Sequence, residues 1–449
     1  MRKKMNRRFF ELLIINSSLL ILSSCSIEKQ ISSSAKEDVL SNKALTTAHV
    51  GISIFEPAAN KYLYNYQGDH YFVPASNTKI PTCYAAMKYL GDSLVGLKVF
   101  VDKDSSLFIV PTGDPTFLHP DFRNQLVYDF LKGQKKDIYV LNSYETNFQL
   151  SYGKGWQIDD VNETYLVPRS IFPIYGNLVT FFVNDIGEIN TIPKVFKNNV
   201  VPDFPCTSLN RVKKFDVYEN RYHIYCEKGS ESNKSIQAPF NPTSGLLFLE
   251  ILPDTIHKKV RFNYPYNYTQ NKIQFKDFHS QPTDSLLKPM MHRSDNFFAE
   301  QSLLMVSNEM LGYMNDANII DTLLKTDFKD LPQKPRWVDG SGLSRYNLFT
   351  PQDFVAILNK MKNEFGMDRI KVILPTGGEG TISSYYKADS GYIYGKTGTL
   401  SGVVAFSGFL YTKKGKLLIF STLVNNHNSS ATEIRKAVEK FLQGIRNSF

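Results

Sequence analysis

The sequence predicts an α/β fold: an antiparallel sheet flanked by helices, interrupted by a large β-rich insertion. Three observations carry this expectation. A strand pair and a helix stand early in the chain, whereas helices, three strands and a last helix close it. Between them the texture changes to short Tyr/Phe/Val/Ile runs broken by Gly, Pro, Asn and Asp. With 449 residues, the chain is too long for one typical core, since single cores stop growing at roughly 250–300 residues.

The elements follow in order. HVGISIFEP (49–57) and KYLYNYQ (61–67) are β-prone runs separated by a short link, and read as a hairpin. VPASNTKIPTCYAAMKYLG (73–91) contains a helix that ends at Gly91. Pro81 lacks the N–H of a helix interior, so the regular helix is expected from about Ile80–Pro81, with Ser76 to Lys79 as a tighter entry turn. From 98 to 280, runs such as DIYVLN, NLVTFFVND, RYHIYCE and LLFLEIL read as strands, with one helix at 121–132. Helix returns at 296–310 and at 351–365, the latter opened by Pro351. GYIYGKTGT, GVVAFSGFLYT and KLLIFSTLVNN are strands, the last two joined by a KKGK turn. A final amphipathic helix from about 430 to 446 aligns Ile434, Val438, Phe441, Leu442 and Ile445. The expected division is a domain of 47–97 with 281–449, and an inserted β-rich region of 98–280.

Residues 1–25 read as a targeting segment. MRKKMNRR precedes a short apolar run, and Leu22-Ser23-Ser24-Cys25 resembles a bacterial lipobox. Lipidation of Cys25 would hold the protein in the periplasm on a membrane, with the outer membrane favoured; a plain secretory signal or an uncleaved anchor is the alternative. The polar stretch 26–46 reads as a tether. Cys83 reads as a buried small hydrophobe, and Cys206 and Cys226 are available to pair in an oxidising compartment. No Cys/His cluster has metal-ligand spacing, and no cofactor is implied. The formal charge of +9 is scattered rather than gathered in a stripe, which favours an anionic envelope polymer or lipid over nucleic acid.

Ser76-x-x-Lys79 is one of six S-x-x-K matches, starting at Ser26, Ser33, Ser76, Ser151, Ser285 and Ser384. Alone it is equally an ordinary helix start with a surface lysine. Two further triplets single it out. Ser294-Asp295-Asn296 opens an apolar-faced helix, and Lys396-Thr397-Gly398 lies on a predicted strand, followed by Thr399. Each has an ordinary structural explanation, as N-cap or strand end. Together and in this order they match the motif set of penicillin-binding proteins and serine β-lactamases.

The chemistry accounts for the residue types. A serine hydroxyl needs a base within hydrogen-bond reach, and a lysine at i+3 lies on the same helical face. That lysine is a base only if its pKa falls toward roughly 7–8. Burial or the charge of Lys396 would supply the fall. Ser294 would pass the proton to the leaving amine, and Asn296 would hold a substrate amide. Lys396 and Thr397 would hold a carboxylate, and Gly398 would let substrate backbone lie against the strand edge.

Beyond these triplets, the chain resembles the D-alanyl-D-alanine carboxypeptidases among the class C low-molecular-weight penicillin-binding proteins, of the penicillin-binding protein 4 type. The likeness extends through VPTGDPTF (110–117), GKGWQIDD (153–160), MHRSDNFFAEQ (291–301), VDGSGLSRYNLFTP (338–351), ILPTGGEGT (373–381) and YGKTGTLSGVVAFSG (394–408). It implies the serine β-lactamase/DD-peptidase-like fold and an acyl-enzyme on Ser76. The substrates would be the D-Ala-D-Ala termini of peptidoglycan stem peptides, with cross-links as a further target and β-lactams as covalent inhibitors.

It also implies that Asp160, or Asp159, recognises the amino group of the substrate's third residue. Tyr165, Arg345 and Leu400 match positions near that pocket, and the N–H groups of Ser76 and Thr399 match the oxyanion hole. Two departures stand out: Ile158 replaces the usual second aromatic of the Trp segment, and the insertion is somewhat short. A β-lactamase or β-lactam sensor is a first alternative; between Ser294 and Lys396 no obvious Glu-x-x-x-Asn stands ready to activate a deacylating water. A non-catalytic envelope-binding protein is a second, disfavoured by the intact Ser76, Lys79, Ser294, Asn296 and Lys396.

Overall fold

A computed structural model gives the fold and describes residues 27–448, apart from 104, 142–150, 185, 204–207, 217–218, 227–234, 243–245 and 263–273. The expected lipidation site Cys25 and the half-cystine candidate Cys206 lie outside the described residues; Cys226 is disulfide-bonded.

A helical segment over 27–40 precedes β1 (His49–Glu56) and β2 (Lys61–Tyr66), the expected hairpin. A 3₁₀ turn at Ala75–Thr78 leads into α1 (Lys79–Tyr89). The regular helix therefore starts one residue ahead of the expected Ile80. Pro81 is its third residue, where a backbone N–H would have no intrahelical partner. Then come β3 (Ser93–Val101), β4 (Leu107–Pro111), α2 (Leu126–Lys132) and β5 (Ile138–Val140). They are followed by β6 (Leu178–Val183), β7 (Ile189–Ile192), β8 (Val200–Pro202), β9 (Leu209–Lys214), β10 (Tyr222–Cys226) and β11 (Ser235–Pro239). Helix α3 (Phe248–Ile256), β12 (Val260–Phe262) and β13 (Lys276–Pro282) complete that stretch. Helices α4 (Thr283–His292), α5 (Asn296–Leu311), α6 (Asp316–Lys325) and α7 (Pro351–Ile373) lead to β14 (Ile393–Leu400), β15 (Val403–Tyr411), β16 (Leu417–Asn425) and α8 (Ala431–Ser448).

Three sequence expectations are corrected. LLFLEIL is not a strand but the start of α3, whose buried Phe248, Ile251, Leu252 and Ile256 recur at helical spacing; a short apolar run does not by itself reveal its period. The helix expected at 121–132 begins only at Leu126. Ahead of it, Gln125 accepts from Leu118 N at 2.7 Å and donates to Phe122 O at 2.8 Å, holding those residues in a loop. The stretch 26–46, read as a tether, instead buries Ile31, Ala35, Val39 and Leu45 of its described residues in the core shared with α8. Its polar residues face outward, so composition alone resembled a linker.

The chain forms two units. The first takes the described part of Met1–Asn77 together with Leu331–Pro335 and Leu348–Phe449. Its five-stranded antiparallel sheet runs β14-β15-β16-β1-β2, with α7 on β1 and β16 and α8 on β15. Helix α7 runs past the expected 365 across a kink at Gly366. The apolar stripe of α8, Ile434, Phe441 and Ile445 among it, seals the core with Ile52, Ile54 and Phe420. β14 is the last strand of that sheet, paired along its length with β15; on its other side a bridge joins Tyr394 to Thr376, and Gly395 N donates to Pro375 O at 3.2 Å.

The second unit takes Thr78–Asp330 and Arg336–Asn347, and so contains the whole of 98–280. It holds the five-stranded sheet β12-β5-β4-β3-β13 and the three-stranded sheets β11-β6-β7 and β8-β10-β9. Its helices α1, α4, α5 and α6 pack on one another through α5. One apolar cluster, including Leu97, Ile109, Phe172, Phe181, Ile224 and Leu252, fills its interior.

Candidate active site

The first unit carries Ser76 and strand β14. Ser76 is half-buried in the 3₁₀ turn, immediately after Ala75, which holds φ at +47°. A non-glycine residue there costs of order 1–3 kcal/mol and persists only where its surroundings enforce it. The surroundings are visible. Asn77 is buried, and its Nδ2 donates to Ser407 Oγ at 2.7 Å, while Ser407 and Ser421 share a 2.8 Å hydroxyl contact. Asn425 accepts from Val73 N at 2.7 Å and donates to Val73 O at 3.0 Å. The Ser76 turn is thus pinned to β15 and β16 on both sides.

β14 lies directly against that turn. A Cβ added to Gly398 would stand 2.6 Å from Pro74 O and 3.0 Å from Ser76 N. Only glycine permits this approach of two backbones. On the same strand Lys396 is fully buried and donates to Thr397 O at 2.7 Å, and Thr397 Oγ1 donates to Thr381 Oγ1 at 2.7 Å. Thr399 is exposed and accepts from Arg435 Nη2 at 2.6 Å; Leu400, half-buried, ends the strand.

The second unit carries Lys79, Ser294 and Asn296. Lys79 is fully buried at the start of α1, and its Nζ donates to Asn296 Oδ1 at 2.5 Å and to Ser341 O at 2.7 Å. Burial pulls its pKa down to about 8, against the opposing pull of Asp339, Glu300 and Asp295. The Ser-Asp-Asn triplet divides its labour. Ser294 takes a left-handed turn at φ +61°, Asp295 caps α5 by accepting from Phe298 N at 2.9 Å, and Asn296 is the first helical residue. The cap of α5 is thus Asp295, rather than Ser294 or Asn296.

Asn296 Nδ2 also donates to Tyr165 O at 2.8 Å. Tyr165 is exposed, and its hydroxyl is pushed up to about 12, by burial first and then by its hydrogen bond to Asp160. Asp160 is half-buried whereas Asp159 is exposed, so Asp160 is the acid engaged with this tyrosine. Lys79, Asn296, Tyr165 and Asp160 form one connected line. Arg345 lies half-buried in the loop 339–347, which is built around Asp339. That carboxylate accepts from Ser344 N at 2.7 Å, Gly342 N at 2.9 Å and Trp156 Nε1 at 3.0 Å.

Sequence reasoning missed four of these supports. Asn77 stands at an unspecified position inside the first motif. Glu300 accepts from Ser341 N at 2.8 Å and meets Arg169, which also pairs with Asp316 at 2.6 Å. Burial, then Asp339, pushes Glu300 up to about 7 against the pull of Arg169. Ser341 and Asp339 complete the set. The available signal was a glutamate one helical turn after Asn296, on a helix otherwise buried along that face. Among the described residues no group of three His, Cys, Asp or Glu side chains could hold a metal ion.

The model of a family described as "D-Ala-D-Ala carboxypeptidase 3 (S13) family" matches residues 33–445. D-alanyl-D-alanine carboxypeptidase DacB of Haemophilus influenzae is 25% identical over 91% of this chain and 92% of its own. A D-alanyl-D-alanine carboxypeptidase of Actinomadura sp. (strain R39) is 24% identical over 88% of this chain and 80% of its own. Among solved structures, penicillin binding protein 4 from Haemophilus influenzae superposes with a TM-score of 0.69 at 22% identity, covering 93% of this chain and 98% of that one. That likeness shows the fold, and bears out the α/β class expected from the sequence.

Proposed function

The chain belongs to the D-Ala-D-Ala carboxypeptidase 3 (S13) family, and from that membership we propose a serine DD-peptidase mechanism centred on Ser76. The substrate is the D-Ala-D-Ala terminus of a peptidoglycan stem peptide. Neutral Lys79 accepts the Ser76 hydroxyl proton as Oγ attacks the carbonyl of the penultimate D-Ala. The N–H groups of Ser76 and Thr399 stabilise the oxyanion, the kind of preorganised donor pair that contributes most where charge develops. Collapse breaks the peptide bond, and Ser294 relays the proton to the departing amine of the last D-Ala. Water then cleaves the ester to release the shortened peptide and restore Ser76.

Around that centre, Lys396 and Thr397 hold the terminal carboxylate, Asn296 holds a substrate amide, and Gly398 leaves the β14 edge open for substrate backbone. Asp160, with Tyr165, Arg345 and Leu400 nearby, takes the amino group of the third residue. The observation that carries this reading is Lys79, buried and drawn down to about 8, because an ordinary surface lysine at pH 7 is no base. β-Lactams acylate the same serine, and cross-link cleavage is a second activity of the same centre.

The lipobox-like Leu22 to Cys25 supports a protein of the periplasm held on a membrane by a lipid at Cys25. The direct test is D-Ala release from a soluble pentapeptide by the wild type and by Ser76→Ala. Release abolished by the substitution supports the mechanism; release that survives it removes Ser76 from the nucleophile's role.

A further inference from the structure

The outer face of the β8-β10-β9 sheet carries a continuous ladder of rings and guanidinium groups. Strand residues alternate sides, so while Tyr222 and Ile224 fill the core, His223 and Tyr225 point the other way. Arg211, opposite Tyr225 in the register, sits 4.2 Å from that ring's centroid. Tyr225 stacks on His223 at 4.5 Å, and His223 on Phe215 at 5.7 Å with planes only 8° apart. Arg221 closes the far end at 4.9 Å from the Phe215 ring. Asp203 pairs with the His223 imidazole.

Both ends of the ladder are guanidinium groups, and Lys213 lies exposed opposite His223. Lys214 is buried on the inner side, so the exposed basic charge along the ladder is that of Arg211, Lys213 and Arg221. A guanidinium stacked on a ring keeps its in-plane N–H fork for a carboxylate. Its ordering has already been met by the stack, which lowers the cost of binding. The inner ring faces are covered by their neighbours, which disfavours nucleic acid, since single strands need open rings to stack their bases on. The chemistry that fits is a polymer with repeated carboxylates.

We propose that this face is a docking surface for the peptidoglycan polymer, bound through its stem-peptide carboxylates. The identity of the polymer rests on the function proposed above; the surface itself rests on the ladder. The full chain, in the wild-type form and as Arg211→Glu/Arg221→Glu, is sedimented with isolated sacculi at low salt and with phosphatidylglycerol vesicles. D-Ala release from soluble pentapeptide is measured in parallel.

Removing two charges and adding two repulsions is expected to weaken sacculus binding about tenfold, with soluble turnover unchanged. Unchanged turnover also shows that the variant is folded. Arg211→Gln/Arg221→Gln is the milder substitute if the charge reversal does not fold, and it should weaken sacculus binding in the same direction. Equal sacculus binding by folded variant and wild type overturns the proposal, as does wild-type binding to the vesicles without binding to sacculi. Failure of the proposed peptidase activity would appear separately, as absent D-Ala release by the wild type.

Discussion

The Lys79 ammonium donates to Asn296 Oδ1 at 2.5 Å, so the motif lysine of α1 and the motif asparagine of α5 meet directly inside the second unit. That contact ties the basicity of Lys79 to the protein around it. Burial favours the neutral amine, whereas Asp339, Glu300 and Asp295 favour the charged form.

The first prediction concerns pH. If neutral Lys79 is the base, D-Ala release should rise with pH through about 8 and then level off. Stability follows from the same group. Its folded pKa lies below the unfolded value of 10.5, so between the two the unfolded chain binds more protons, and this contribution grows more favourable as pH rises. A pH–rate profile with no limb between pH 7 and 9 would remove Lys79 from the role of base.

Glu300→Gln tests the electrostatics behind that lysine. The amide oxygen can still accept from Ser341 N, but a carboxylate that raises the Lys79 pKa is gone. The acidic limb of the rate profile should therefore move to lower pH. A purely structural glutamate would leave the limb in place and change only the amount of folded enzyme. Arg169→Met is the severe counterpart, leaving Glu300 and Asp316 buried without their cation, at a cost of about 3–5 kcal/mol, read as a large drop in melting temperature.

Gly398→Ala should separate fold from activity. The new Cβ would meet Pro74 O at 2.6 Å and Ser76 N at 3.0 Å, and because both neighbours are backbone, the strand or the Ser76 turn must shift. A displacement of about 1 Å at a reacting group costs about a hundredfold in rate. Circular dichroism should show the fold kept while acylation of Ser76 slows by that order. Acylation at the wild-type rate would mean that the close approach has no part in placing Ser76.

Asn77→Ala probes a residue that sequence reasoning passed over. It removes the bond to Ser407 and leaves a buried hydroxyl short of a donor, costing about 1–3 kcal/mol. Thermal melting should show the loss, and acylation should slow further, because Ser76 loses its anchor to β15. Activity unchanged at a temperature where the variant is fully folded would confine Asn77 to stability.

Much of this was legible in the chain itself. α8 carries a clear helical stripe, while the hairpin, α5 and the three late strands are apolar-rich runs bounded by polar or turn residues, and their bounds fall within a few residues of expectation. Ser76, Ser294 and Lys396 stood out because they begin short motifs that occur together and in order. LLFLEIL misled because a short apolar run fits either period until its neighbours choose one. The segment 27–45 misled because Ile31, Ala35, Val39 and Leu45, with Ile27 and Leu40 beside them, are the apolar residues that reach the core, a sparse set to read against a polar background. Asn77, Glu300 and Asp339 were hidden for another reason. Their roles depend on partners such as Ser407 and Ser341, which only folding brings near.

The central claim is that Ser76 forms a covalent acyl-enzyme. Intact-mass measurement over time after adding a β-lactam tests it most directly, with the wild type beside Ser76→Ala and the adduct located by peptide mapping. A single lasting adduct on Ser76, absent from the variant, is the predicted result. No adduct on the wild type, or an equal adduct on both proteins, would contradict the account; an adduct that vanishes rapidly with antibiotic turnover would make the protein a β-lactamase instead.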